Sequence, residues 1–304
     1  MILAKNITKK YGDQTAVDEL SLDIPQGQFF GLLGPNGSGK TTSIHMLSTL
    51  IQPTSGSVYV DGIDVQKSPR TVRKNIGLVF QESALDRTLS IEENLYFCAG
   101  LHNLSRQVVS TRVDTLLELF ELQSKKNNAV GSLSGGMRRA VDIIRGVLHE
   151  PKVLFLDEPT VGLDLPSRRR IWRFINQLID EQQLTVVLTT HYLEEAAPCD
   201  NVAFIKEGEL VSEGAPERLI EQLGKIIIEI NGSNVNEFVR QLELKKHEYM
   251  IEGDSLLIRI RDSETEKVEL IQNVLRNQAE IISVRKANLN DVFLWLSSND
   301  HGLK

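Results

Sequence analysis

Apolar residues fall along this chain in two rhythms. Three runs are continuous: Phe29-Phe30-Gly31-Leu32-Leu33, Val153-Leu154-Phe155-Leu156 and Thr185-Val186-Val187-Leu188. Such runs suit strands of a parallel sheet covered by helices on both faces. Ile76-Gly77-Leu78-Val79-Phe80 predicts another strand. Residues 57–65 instead alternate at period two, the pattern of a half-exposed hairpin strand. Residues 1–25 read as short strands around the turn Tyr11-Gly12-Asp13-Gln14. Helical spacing starts near 90, where Ser90 and Glu93 form a capping box. Val109, Val113, Leu116, Leu117 and Phe120 then share one helical face. These signals run from about 90 to 128 and resume at 138–148, predicting a helical insert over about 90–150.

The rhythm changes from about 222 onward. Ile226-Ile227-Ile228-Glu229-Ile230 predicts a strand and residues 235–242 a short helix. Tyr249-Met250-Ile251 and Leu256-Leu257-Ile258-Arg259-Ile260 read as a hairpin across Gly253-Asp254. Val268, Leu270, Ile271, Val274 and Leu275 lie on a helix, and Ile281-Ile282-Ser283-Val284 is a last strand. The order β-α-β-β-α-β is the ferredoxin-like arrangement. The expected organisation is an α/β domain over 1–221 and a small α+β ferredoxin-like domain over 222–304. A closing amphipathic helix follows, with Leu289, Val292, Phe293 and Leu296 on one face.

Length and composition fit this division. The 304 residues are enough for two domains, with 41% hydrophobic and 25% charged residues. The net charge of −7 disfavours a broad nucleic-acid surface. Cys98 and Cys199 lie far apart with no metal or redox spacing, predicting reduced, buried thiols in a cytosolic protein. No apolar stretch approaches the ~18 residues of a membrane span, and the first residues do not resemble a signal peptide.

The candidate chemistry begins after the first apolar run. Gly34-Pro35-Asn36-Gly37-Ser38-Gly39-Lys40-Thr41-Thr42 joins a predicted strand to a predicted helix. That context makes G-x-x-x-x-G-K-[ST] a phosphate site. Its glycines let several N–H groups face one anion, and the helix N-terminus adds partial positive charge. Lys40 is placed to reach the β- and γ-phosphates, and the Thr41 hydroxyl to ligate Mg²⁺. The strand 153–156 ends in Asp157 and Glu158. Successive side chains leave a strand end in different directions. Asp157 can therefore face a metal while Glu158 faces an attacking water as its base or orienter. About 20 residues upstream, Leu133-Ser134-Gly135-Gly136-Met137 opens another helix with exposed N–H groups.

In this order the motifs resemble the nucleotide-binding subunit of an ABC transporter, over residues 1 to about 220. The resemblance implies a P-loop ABC ATPase fold with a helical subdomain, using ATP and Mg²⁺. Lys40 matches the Walker A lysine, and Asp157 with Glu158 the Walker B pair. Gln81 matches the Q-loop glutamine, a Mg²⁺ contact beside Thr41 and Asp157. Ser134, Gly135 and Gly136 match the signature that binds phosphate on an opposing subunit. Gly162-Leu163-Asp164 matches the D-loop, and His191 the switch histidine that holds Glu158. Tyr11 matches the aromatic that stacks on adenine, with Val17 beside it. Met137 departs from the glutamine many members carry and supplies no amide hydrogen bond.

The tail Asn288-Leu289-Asn290-Asp291-Val292-Phe293-Leu294-Trp295-Leu296 resembles that of drug-resistance and nodulation-factor type exporter ATPases. The implied partners are a second copy, bound head to tail, and a separate integral membrane permease, with no nucleic acid. The implied location is cytoplasmic, on the inner face of the membrane. Alternatives are an importer subunit, a soluble ABC ATPase of translation or repair, and a nucleotide-dependent sensor. A single cassette, and only about 50 residues between Gln81 and the signature, argue against the soluble class. Arg168-Arg169-Arg170 reads as a solvated helix face, and the histidines other than His191 as surface residues.

Overall fold

The computed structural model describes residues 1–232, 235–245, 248–261, 266–275, 279 and 281–298. The chain separates into two compact units, Met1–Glu213 and Gly214–Lys304.

The first unit opens with β1 (Ile2–Tyr11) and β2 (Gln14–Ile24), strands of 10 and 11 residues rather than short ones. Then come β3 (Phe29–Leu33), α1 (Lys40–Leu47), β4 (Ser55–Val60) and β5 (Ile63–Asp64). Helix α2 (Pro69–Asn75) leads into β6 (Ile76–Val79). The helical insert holds α3 (Ile91–Leu101), α4 (Arg106–Leu119) and α5 (Gly135–Val147). After it follow β7 (Val153–Asp157), α6 (Leu165–Gln182), β8 (Thr185–Thr190) and α7 (Leu193–Ala196). Strands β9 (Asn201–Lys206) and β10 (Glu209–Gly214), which the apolar pattern did not single out, complete the sheet.

Two sheets result. An antiparallel sheet has the order β2-β1-β4-β5, and a six-stranded sheet the order β10-β9-β3-β8-β7-β6. The pairs β3/β8, β3/β9, β7/β8 and β6/β7 are parallel. All residues of β3, β7 and β8 are buried, as their unbroken apolar runs require. Helix α1 packs against both sheets. Its Ile44, Met46 and Leu47 join Ile7, Leu20 and Val58 of one sheet and Phe30, Leu32 and Phe155 of the other in one core. Each such fully buried side chain contributes about 1.5–3 kcal/mol. The loop preceding α1 is thereby anchored between two rigid layers.

The insert follows its sequence pattern. Ser90 Oγ accepts from Glu93 N at 3.2 Å and Glu93 Oε2 accepts from Ser90 N at 2.8 Å, the predicted capping box. Val109, Val113, Leu117 and Phe120 are buried. Helix α5 lies directly on β6: a Cβ on Gly77 would stand 2.1 Å from the Gly146 carbonyl oxygen, so only glycine permits this approach.

The second unit contains α8 (Pro216–Leu223), β11 (Ile226–Asn231), α9 (Val235–Gln241), β12 (Tyr249–Glu252) and β13 (Ser255–Ile260). It ends with α10 (Glu266–Leu275), β14 (Ile281–Lys286) and α11 (Leu289–Ser297). Its sheet has the order β12-β13-β11-β14 with every pair antiparallel. Ile228, Ile230, Leu256 and Ile258 cover one face with Phe238, Ile271 and Leu275. On the opposite face Ile227 and Leu257 are buried, and Arg259 lies over the Trp295 ring of α11 at 5.9 Å. Trp295 is wholly buried, whereas Phe293, expected on the packed face, is only partly so. Helix α8 packs against α11 and so falls in the second unit, ahead of the 221/222 division expected from sequence.

Candidate functional site

Strand β3 delivers residues 34–39 to the N-terminus of α1. Gly34 and Gly39 have φ of 156° and 105°. A Cβ at Gly34 would lie 2.2 Å from the Ile205 carbonyl oxygen, and one at Gly39 2.5 Å from that of Ala16. The loop is therefore pressed against β2 and β9, with room left on its other side. Lys40, 5% exposed, donates through Nζ to the carbonyls of Gly34 and Pro35, both at 2.9 Å. Burial holds its ammonium below the usual lysine range, opposed by the charges of Glu158 and Asp157. Ser38 Oγ is buried with no partner, a polar atom waiting for an acceptor.

The carboxylates converge on this loop. Thr41 Oγ1 donates to Asp157 Oδ1 at 3.2 Å, and Thr189 Oγ1 donates to the same oxygen at 2.5 Å. The amide of Glu158 donates to the Thr189 carbonyl at 3.0 Å and its Oγ1 at 3.1 Å. Thr189 thus ties the two acids together, a residue that sequence reasoning missed. Its only signal was the pair of threonines closing an apolar run. Glu158 has φ 45°, and its Oε2 lies 3.2 Å from His191 Nδ1.

A cleft of about 770 Å³ collects part of these groups, while Gly34, Pro35, Ser38, Asp157 and Thr189 stand outside its lining. Asn36, Gly37, Gly39, Lys40, Thr41, Thr42, Gln81, Glu158 and His191 all line it. So do Gln14, Thr15, Ala16, Val161 and Glu207, which the sequence reading did not name. The hydroxyl of Thr41, the Asp157 carboxylate and the Gln81 amide form an all-oxygen donor set suited to a hard divalent cation. The open loop N–H groups and the orphaned Ser38 hydroxyl fit a phosphate chain. Val17 is fully buried under Gly39 and does not line the cleft. Tyr11 is not in its lining either; it is 51% exposed at the hairpin tip, with Lys9 Nζ 5.2 Å from its ring centroid.

None of Ser134, Gly135, Gly136 or Asp164 lines this cleft. Gly136, Met137 and Asp164 border a separate cavity of about 130 Å³ between α4, α5 and α6. Ser134 caps α5, its Oγ accepting from Met137 N at 3.3 Å. Asp164 caps α6, and the bond from Ser167 N at 2.7 Å holds its carboxyl below the usual range.

Two expectations are corrected. Arg168 is not a solvated charge: it lies over the Tyr192 ring at 4.8 Å, with Nε 3.6 Å from the buried Glu195. Glu195 in turn accepts from Thr160 and Thr190. Nor are all the other histidines superficial. His102 and His149 stack at 3.8 Å, half-buried, and burial pushes His149 down to about 4.

The family described as ABC transporter matches residues 17–161. Nod factor export ATP-binding protein I of Burkholderia lata is 36% identical over 298 residues, 97% of this chain and 96% of that protein. Daunorubicin resistance ATP-binding protein DrrA3 of Streptomyces coeruleorubidus is also 36% identical, over 97% of this chain and 95% of its own length. Among solved structures, the dimeric bacterial ABC transporter cassette MJ0796 superposes with a TM-score of 0.66 at 31% identity. It covers 71% of this chain and 98% of its own. The same cassette in a post-hydrolysis state bound to ADP and Pi gives the same score at 30% identity.

Proposed function

The chain belongs to the ABC transporter family as an ATP-binding, ATP-hydrolysing subunit, and we propose that it powers export through a separate membrane permease. The names of its relatives, a Nod factor export protein and a daunorubicin resistance protein, support the direction. No helix among the described residues is long and apolar enough to cross a membrane. The relatives' names, ATP-binding proteins of export and of drug resistance, support assigning the path for cargo to another chain and this subunit to the inner face of the membrane.

The observation that carries the mechanism is that only part of the expected phosphate-binding groups lines the cleft. Lys40, Thr41, Gln81, Glu158 and His191 share one cleft. The helix start at Ser134, with Gly135 and Gly136, and the D-loop Asp164 lie outside it. These groups suit the triphosphate on a second copy, so that two head-to-tail subunits complete two sites. Residues 34–42 wrap the phosphates, with Lys40 countering their charge. Thr41, Asp157 and Gln81 would hold Mg²⁺, which would neutralise phosphate charge. Glu158 orients the attacking water and accepts its proton, held in place by the His191 imidazole. Tyr11 offers its exposed ring to adenine, and buried Val17 supports Gly39 from below.

Glu158→Gln tests this reading. The variant should lose turnover, keep ATP affinity, and accumulate as a dimer on sizing with Mg-ATP. Hydrolysis near the wild-type rate would refute Glu158 as the principal carboxylate. Co-purification from membranes tests the permease; recovery without a membrane protein at any nucleotide state would favour the non-transport reading.

A further inference from the structure

Helix α5 does more than present Ser134. Its inner face carries Arg139, Asp142 and Arg145, spaced three residues apart and so in line on one side of the helix. All three are bonded to the segment that runs from β6 through Gln81. Arg145 Nη2 donates to the Leu78 carbonyl at 3.1 Å, Arg139 Nη1 donates to the Phe80 carbonyl, and Asp142 Oδ1 accepts from Ala84 N at 3.3 Å. Gln81 is held between the last two.

Arg139 also reaches the other arm of the site. Its Nε donates to the Pro159 carbonyl at 2.5 Å. Its Nη2 donates to the carbonyls of Asp157 and Glu158 at 3.1 and 3.2 Å. One guanidinium, 7% exposed, therefore joins the carboxyl ends of the adjacent parallel strands β6 and β7. No carboxylate forms an ion pair with it among the described residues; its partners are main-chain oxygens. A buried guanidinium is costly unless its donors are used, and these donors are spent on the backbone of Glu158 and its neighbours. Glu158 has left-handed φ, a conformation that persists only when its surroundings enforce it. A planar fork of five donors can span four carbonyls in fixed directions; an ammonium cannot.

We propose that Arg139 is a positioning residue for hydrolysis, fixing the Glu158 backbone and the approach to Gln81 against the helix that begins at Ser134. It does not line the cleft, and it acts through the two residues it holds. The inference rests on the roles given above to Glu158 and Gln81.

The test uses the full chain with Arg139→Gln and Arg139→Lys. Steady-state ATP hydrolysis, binding of a fluorescent ATP analogue and the thermal midpoint are measured for each. Arg139→Gln should lower kcat by on the order of 10- to 100-fold, the scale of a misplaced reacting group. KM and analogue affinity should stay within about twofold, because the loop and Lys40 are untouched. Arg139→Lys should recover part of kcat. A folded variant with unchanged kcat, or one whose kcat falls only together with nucleotide affinity, overturns the proposal. If Arg139→Gln does not fold, Arg139→Lys decides by the same criteria. Glu158→Gln run in parallel separates the two ideas. Turnover surviving in that variant refutes the site assignment, whereas its loss beside an unaffected Arg139 pair refutes only this inference.

Discussion

At the scale of single residues, the site depends on a few polar atoms with assigned partners. Lys40 Nζ is buried among carbonyls and faces the charge of Glu158 and Asp157. Lys40→Ala should weaken a fluorescent ATP analogue at least tenfold and abolish turnover, since a charge-assisted contact to phosphate is lost. Unchanged titration and hydrolysis would refute the phosphate-loop assignment. Thr189 tests a different dependence. Its hydroxyl bridges Asp157 Oδ1 and the Glu158 amide. Thr189→Val keeps the shape and the carbonyl that accepts from the Glu158 amide but removes the donor to the Asp157 carboxylate, costing about 1.5–3 kcal/mol locally. Its kcat should fall severalfold with analogue affinity retained. A wild-type kcat would show that the carboxylates hold their places without the bridge.

At the scale of elements, the joint between the insert and the sheet is stitched by polar groups as well as apolar ones. His102 ends α3, His149 follows α5, and the His149 ring contacts the Ile76 carbonyl of β6 at 2.9 Å. Burial, and then the neighbouring His102, hold His149 down to about 4 from an ordinary 6.5. Between those pH values the unfolded chain binds a proton that the folded chain refuses. Stability therefore falls as pH drops from about 6.5 to about 4, by on the order of 2–3 kcal/mol from this residue. Thermal midpoints across that window should decline less steeply in His149→Gln than in the wild type. Parallel declines would mean that the stacked pair is not the acid-labile element.

At the scale of the whole molecule, the proposed function completes each site with a second copy of the chain. A mixed dimer with Lys40→Ala on one chain and Ser134→Arg on the other should retain one intact site and lose the other entirely. Nucleotide stoichiometry near half of wild type is the expected result; damage to both sites would indicate sites closed within one chain. The Gly214–Lys304 unit has its own sheet and core. A chain ended at Glu213 should accordingly still bind the ATP analogue, and a folded truncation without affinity would refute that independence.

Features encoded by neighbours in sequence were legible without coordinates. The phosphate loop, the Asp157-Glu158 pair, the Ser90–Glu93 box and the β-α-β-β-α-β order each depend on spacing along one or two elements. Side-chain period and backbone chemistry set that spacing directly. Tertiary structure decided everything that depends on distant segments meeting. Thr189, Glu207 and Arg139 show nothing in their local sequence, because a threonine, a glutamate or an arginine gains its role from what faces it. Strands β9 and β10 escaped notice because only their place beside β3 makes their pattern informative. Trp295 replaced Phe293 in the packed face because the sheet, rather than helical period alone, selects which side chain is enclosed. The separation of Ser134 from the cleft that holds Lys40 is likewise a matter of geometry: the chain brings both motifs into one unit, and the fold keeps Ser134 out of that lining.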